Sequence, residues 1–213
     1  MLPWGYMTGP GVAAVVFDIG GVLLDWDPRH LYRELISDPA EMAEFLEHVC
    51  TPQWHLAHDL GADTDRSCRE LAARYPDQAE LIMAWSRRSE DMVAGQIDQA
   101  IEVLADVKAS GLRCLALSNM EPDKFLLRRH RFPFFRLLDG CVISGMEGVA
   151  KPDRAIFEIL LSRYDLDPAA TVFVDDTAAN VAAARQIGIR AIGYSTANQL
   201  RRDLHDLGVA GLA

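Results

Sequence analysis

Residues 15–22 read Val15-Val16-Phe17-Asp18-Ile19-Gly20-Gly21-Val22. An apolar run that begins at Val12 stops at Asp18, and two glycines follow closely. A short, β-branched apolar run feeding a glycine-containing loop is the pattern of a buried strand and the turn at its carboxyl end. Four further runs of this kind lie at 112–117, 140–143, 171–174 and 190–194. Helical patterns separate them, at 98–109, 123–130, 153–164 and 177–187, and a last one covers 197–207. In 98–109, Ile101, Leu104, Ala105 and Lys108 recur at steps of three and four, Asp98 opens the run and Gly111 follows it. Apolar strands alternating with helices of about ten residues form a parallel sheet covered on both faces, with right-handed crossovers. The expected fold is α/β: a doubly wound, Rossmann-like parallel sheet.

One segment breaks the alternation. From 28 to 95 only helix-like patterns are legible, at 28–36, 39–49, 64–75 and 77–93, punctuated by Pro39, Pro52, Gly61 and Pro76. The expected organisation is an α/β core of residues 11–27 and 96–213, with an all-helical cap of residues 28–95 over the sheet's carboxyl edge.

Half of the 213 residues are hydrophobic and 24% are charged, the balance of a globular chain with a core of its own. The formal charge of -10 argues against a non-specific nucleic-acid partner and against an anionic membrane surface. No stretch approaches the ~18 apolar residues of a membrane span. Met1 to Gly11 carries no positive charge and no continuous apolar core, so no leader is expected and a reducing cytoplasm is the expected location. Cys50, Cys68, Cys114 and Cys141 lie far apart, a poor zinc set and a poor disulfide framework. Nothing in the chain demands a partner subunit, and a monomer or small homo-oligomer is expected.

Ligands of open α/β sheets bind beyond the carboxyl ends of the strands. The sequence places Asp18 there after the first strand, and Ser118 and Asn119 after the second. Lys151 comes beyond the third, ahead of Pro152, and Asp175 and Asp176 after the fourth. Lysine is scarce, 3 against 18 arginines, so its presence at such a place is informative. Three carboxylates in one pocket repel unless a divalent cation sits among them. All-oxygen ligation with few protein donors suits Mg²⁺.

This set resembles the motifs of the haloacid dehalogenase superfamily, and the resemblance spans nearly the whole chain. The first motif is similar to Val15 through Val22, the second to Leu117-Ser118-Asn119, the third to Lys151-Pro152, and the fourth to Phe173-Val174-Asp175-Asp176 followed by Asn180. Their order and spacing also agree, and the long first gap is where capped members carry a helical cap. The resemblance implies a phosphatase acting on a small phosphorylated metabolite. Asp18 would be the nucleophile that forms an aspartyl-phosphate. Ser118 and the main-chain amide of Asn119 would hold phosphate oxygens, with Gly21 counted in the same phosphate loop. Lys151 would neutralise the nucleophile and the transferring group. Asp18, the carbonyl of Gly20 and Asp176 would bind Mg²⁺, with Asp175 supporting through water.

One position departs from the family pattern. Phosphatases of this family usually carry a second Asp two residues after the nucleophile, as general acid and base, and here that position is Gly20. A metal using the main-chain oxygen survives the change; proton transfer does not. Losing a positioned acid forfeits ~10²–10⁴ in rate. A sugar 1-phosphate, whose anomeric oxygen leaves readily, would tolerate the loss, and phosphatases resembling bacterial α-D-glucose-1-phosphate phosphatase have glycine here. Two other readings stand beside it: a 2-haloacid dehalogenase-like hydrolase attacking carbon, or a low-turnover binding or regulatory module. The pair Asp175-Asp176 favours phosphoryl transfer over the dehalogenase. Asp25 is a candidate stand-in acid on a flap, whereas Asp27, ahead of Pro28, reads as a helix cap.

In the cap, the segment 54–61 combines polar and aromatic residues and ends in an Asp-x-Gly turn. Trp54 could offer a flat apolar face to substrate, and His58 and Asp59 could hydrogen-bond it. Trp54 reads equally as cap core, and Gly61 as a helix stop. The basic run Arg128-Arg129-His130-Arg131 reads as a solvated helix end.

Overall fold

The computed structural model describes residues 11–212. Met1 to Pro10, over which no leader is expected, lie outside the described residues. Five strands form one parallel sheet: β1 (Ala14–Phe17), β4 (Arg113–Ser118), β5 (Gly140–Ile143), β6 (Thr171–Asp175) and β7 (Arg190–Gly193). Their spatial order is β5-β4-β1-β6-β7. The chain winds outward from β1 in both directions, the doubly wound arrangement expected from the alternation of strands and helices.

Alternation along β1 explains the two layers of core. Val15 and Phe17 face one side with Cys114, Ala116, Val172 and Val174 of the neighbouring strands; Val16 faces the other with Leu115, Leu117 and Phe173. Helices α6 (Asp98–Ala109), α7 (Pro122–Arg131) and α11 (Ala197–Asp206) cover the first face. The one-turn α8 (Ser144–Glu147) follows β5, and helices α9 (Arg154–Arg163) and α10 (Ala178–Gln186) cover the second face. Each central strand residue is therefore buried on whichever side it points, as the continuous apolar runs require.

Between β1 and α6 the chain forms α1 (Pro28–Leu35), α2 (Pro39–His48), α3 (Pro52–Asp59), α4 (Thr64–Arg74) and α5 (Ala79–Arg87). Asp27, Asp38, Thr51 and Asp63 cap the first four of these through their side-chain oxygens, and proline opens the first three. Each such cap is worth about 1 kcal/mol. These helices have a hydrophobic cluster of their own, with Tyr32, Phe45 and Trp85 at its centre.

Two departures from the sequence reading occur here. The helical pattern at 77–93 ends at Arg87, and a 3-10 turn leads into a strand, β3 (Val93–Gln96). That strand pairs antiparallel with β2 (Leu24–Trp26), with a bulge between Asp25 and Trp26. A two-stranded ribbon thus carries the chain out of the sheet and back again. In addition, 52–59 is a helix, α3, started by Thr51 Oγ1 accepting from the Trp54 N–H at 3.1 Å. The four cysteines are free; Cys50, Cys68 and Cys114 are buried. Among the described residues, no helix is long and apolar enough to cross a membrane.

Candidate active site

The carboxyl ends of β1, β4 and β6 meet at a cavity of about 400 Å³ that is roofed by the helices inserted after β2. Asp18 is the first residue beyond β1. Its N–H still pairs with the Val174 carbonyl at 2.8 Å, so the sheet's hydrogen bonding holds the start of the loop. Its side-chain Oδ1 accepts from the Ile19 N–H at 2.7 Å.

Lys151 is the electrostatic centre. Its Nζ lies 2.9 Å from Asp18 Oδ1 and 2.7 Å from Asp175 Oδ2, and its side chain is 1% exposed. The two carboxylates hold the ammonium in its charged form despite a burial that would otherwise discharge it. Burial pushes the Asp18 carboxyl up to about 7; Lys151 opposes that rise and the charge of Asp175 adds to it. Asp176, at the exposed rim, is also raised, first by partial burial and then by Asp175.

Asp175 is fully committed. It takes Lys151 on Oδ2, the Thr177 N–H on Oδ1 at 2.8 Å, and the Asn180 amide at 3.0 and 3.1 Å. Asn119 grips the main chain of Lys151, as donor to its carbonyl and acceptor from its N–H. The sequence reading gave Asn119 only a main-chain part. Gly21 is required where it stands: its φ is +72°, and a Cβ there would lie 2.2 Å from Asp176 Oδ2.

Asp18, Asp175 and Asp176 each present an oxygen within 4.8 Å of the others. With one lysine against three carboxylates and only oxygen donors, this set fits Mg²⁺. Asp18, Gly20, Gly21, Ser118, Asn119, Lys151 and Asp176 all line the cavity.

The residues singled out in 54–61 divide. Asp59 lines the cavity. Trp54 and His58 do not: Trp54 packs edge-on against His58 at 4.4 Å and against Trp85 at 5.2 Å. The helical pitch of α3 sets this outcome, turning positions 55 and 59 to the cavity and 54 and 58 to the interior of the inserted helices. His58 is wholly buried and burial lowers its ring to about 4, so it is neutral. Asp25 also points away: its carboxylate, half exposed, meets His30 Nε2 at 2.9 Å, outside the cavity. Asp27 caps α1.

Sequence reasoning gave no individual role to several wall residues. Trp26 on the ribbon stacks on His55 of α3, ring centroids 5.0 Å apart and 13° from parallel. Both rings line the cavity, as do Trp85 and Arg128. Arg128, taken as part of a solvated helix end, is 6% exposed and pairs with Glu90 at 3.1 Å. The (i, i+3) spacing of Phe125 and Arg128 on α7, both buried, was the available signal.

A family model described as haloacid dehalogenase-like hydrolase matches residues 12–188. The chain is 27% identical over 181 residues to a sesquiterpene phosphatase from Aspergillus oryzae, covering 83% of this chain and 86% of that protein. It is 25% identical over 210 residues to acyl-CoA dehydrogenase family member 10 from Mus musculus, covering 90% of this chain but spanning only 18% of that protein's length. A predicted HAD-like family hydrolase from Porphyromonas gingivalis superposes with a TM-score of 0.68 at 21% identity, covering 92% of this chain and 98% of that one. A HAD family enzyme from Bacteroides thetaiotaomicron, in complex with magnesium and inorganic phosphate, gives 0.64 at 17%, covering 87% and 95%. An L-2-haloacid dehalogenase from Xanthobacter autotrophicus gives 0.61 at 20%, covering 94% and 85%.

Proposed function

Because the chain belongs to the haloacid dehalogenase-like hydrolases, we propose that it is a Mg²⁺-dependent phosphatase acting on a small phosphorylated metabolite through Asp18. The observation that carries this reading is the buried Lys151 ammonium shared by Asp18 and Asp175, beside Asp176. A carbon-centred displacement by one carboxylate has no use for three clustered acids; a transferring phosphoryl group, with its charge met by cations, does. The sesquiterpene phosphatase among the relatives supports the same chemistry.

Asp18 attacks phosphorus, the ester oxygen leaves, and water then cleaves the aspartyl-phosphate. Lys151 holds the Asp18 carboxylate ionised and aimed, and stabilises the charge on the transferring group. Ser118 and the Asn119 N–H hold phosphate oxygens, and Asn119's side chain keeps Lys151 in place. Asp18, Asp176 and the Gly20 carbonyl would hold Mg²⁺, with Asp175 behind them; when bound it supplies positive charge to the phosphate. The helices of residues 28–95 serve as the cap that closes the site, with Asp59 toward the substrate. Sugar 1-phosphates are the first class to test, since their leaving oxygen needs the least proton assistance.

The dehalogenase reading keeps one observation in its favour, glycine at position 20. The test is a release screen over sugar phosphates, nucleotides and an aryl phosphate, with Mg²⁺ or chelator, alongside halide release from 2-chloropropionate. Phosphate release that needs Mg²⁺ and is lost in Asp18→Asn supports the phosphatase. Halide release indifferent to chelator overturns it.

A further inference from the structure

Glycine at position 20 leaves open which group gives a proton to the departing oxygen. Among the described residues, five carboxyl groups line the cavity: Asp18, Asp27, Asp59, Glu121 and Asp176. Asp18 is bound to Lys151, and Asp176 belongs to the acidic cluster. Asp27 accepts the Arg29 N–H at 2.8 Å and pairs with its guanidinium at 3.0 Å. Glu121 accepts the Thr64 hydroxyl at 2.6 Å. Only the Asp59 carboxyl accepts no hydrogen bond from a described residue; the His55 ring nitrogen stands off at 3.7 Å.

Asp59 is also fixed in place. Its main-chain carbonyl accepts the buried Ser144 hydroxyl, and the same Ser144 oxygen accepts the Met120 N–H at 2.9 Å. One hydroxyl therefore ties the end of α3 to the loop that carries Ser118 and Asn119. Two residues on, Gly61 packs on Gly145 so closely that a Cβ there would lie 3.1 Å from the Gly145 oxygen. Asp18 enters the cavity from the sheet, whereas Asp59 enters from the roof. In an in-line displacement the leaving oxygen departs on the side opposite the nucleophile.

We propose that Asp59 is the proton donor for ester cleavage and the proton acceptor for hydrolysis of the aspartyl-phosphate. This rests on the phosphatase reading given above. In the first step the Asp18–phosphorus bond forms, the phosphorus–ester oxygen bond breaks, and the Asp59 proton passes to that oxygen, releasing an alcohol. In the second, water attacks phosphorus and gives one proton to the Asp59 carboxylate; hydrogen phosphate leaves, and both carboxyl groups return to their starting forms. The surroundings suit the role. Burial, then the charges of Glu121 and Asp18, raise Asp59 to about 7 against the opposing Lys151 and Arg128, so both protonation states are accessible near neutrality.

The experiment compares wild type with Asp59→Asn on aryl phosphates whose phenols range from acidic (p-nitrophenol) to weakly acidic (phenol), plus an alkyl phosphate, all with Mg²⁺. Loss of the proton donor is expected to lower kcat/KM, which reports ester cleavage, by ~10²–10⁴ for the phenyl and alkyl esters and by less than ~10-fold for the p-nitrophenyl ester, while loss of the acceptor lowers kcat for that ester and makes p-nitrophenol appear as a burst. Ser144→Ala, which releases the Asp59 main chain, is expected to reproduce that graded pattern more weakly, and a thermal melt of each variant checks folding. A kcat/KM loss equal across the series, or none, overturns the role of Asp59 while leaving the phosphatase intact. Absence of phosphate release from every ester in wild type overturns the phosphatase reading, and this proposal with it.

Discussion

Asn119 holds Lys151 by both of its peptide groups: Oδ1 accepts the Lys151 N–H and Nδ2 donates to the Lys151 carbonyl, each at 2.9 Å. The residue after β4 thereby aims the ammonium that joins Asp18 to Asp175. Asn119→Ala leaves a buried N–H and carbonyl without partners, costing about 1–3 kcal/mol in stability. A shift of about 1 Å in the ammonium costs ~10²-fold in kcat. Denaturant unfolding and steady-state kinetics on the same preparation measure both. Full activity in a destabilised variant would show that the clamp is structural only.

Gly21→Ala meets two obstacles, a positive φ of +72° and a Cβ position 2.2 Å from Asp176 Oδ2. The backbone cost is about 1–2 kcal/mol. The larger expected effect is displacement of Asp176, seen as a rightward shift of the Mg²⁺ titration of about tenfold or more, by calorimetry and by activity. An unchanged Mg²⁺ affinity would separate Asp176 from the metal.

The sheet and the strand-end residues were legible because both are written locally. Each strand is a short apolar run, and each chemical group follows directly on one or leads directly into a helix, so reading the runs places the groups on one rim. The ribbon was not legible. Leu24–Trp26 and Val93–Gln96 are too short for a period of two to register, and they pair across the whole helical insertion. Missing it hid Trp26 as a wall of the cavity. In 54–61 the composition was right for a substrate-facing segment, but no helix was assigned to it, so the helical phase was lost. Thr51-Pro52 was the overlooked start signal, and with it His55 and Asp59 fall on one face, Trp54 and His58 on the next. Arg128 was assigned by its basic neighbours, whereas burial depends on which face of α7 meets the inserted segment that carries Glu90.

Asp139, just before β5, pairs with Lys108 Nζ and accepts the Cys114 N–H at 2.9 Å. Partial burial pushes its carboxyl up, but the hydrogen bonds from Lys108 and Cys114 and the charges of Lys108 and Arg113 outweigh it and hold it below the usual range. A depressed carboxyl stabilises the fold above its unfolded pKa of about 4, and that contribution is lost as pH falls through the lower folded value. Solvent screening keeps it under about 1 kcal/mol. Asp139→Asn is expected to melt below wild type at pH 7 and to converge with it toward pH 3. A constant gap across that range would contradict the charge argument.

Lys151→Met tests the buried ammonium through stability. Removing it leaves Asp18 and Asp175 facing each other without their cation, and breaking such a buried pair costs about 3–5 kcal/mol. Chemical denaturation in chelator is the measurement, and a loss below ~1 kcal/mol would mean that solvent, not Lys151, satisfies these carboxylates.

The central claim, that Asp18 carries the phosphoryl group, is tested most directly by trapping. Turnover of an aryl phosphate with Mg²⁺ is quenched in acid, reduced with borohydride, and the peptides are examined by mass spectrometry. The expected result is homoserine at position 18, dependent on Mg²⁺ and on substrate, and absent in Asp18→Asn. Substrate-dependent reduction at any other carboxylate, or phosphate release with position 18 unmodified throughout, would contradict it.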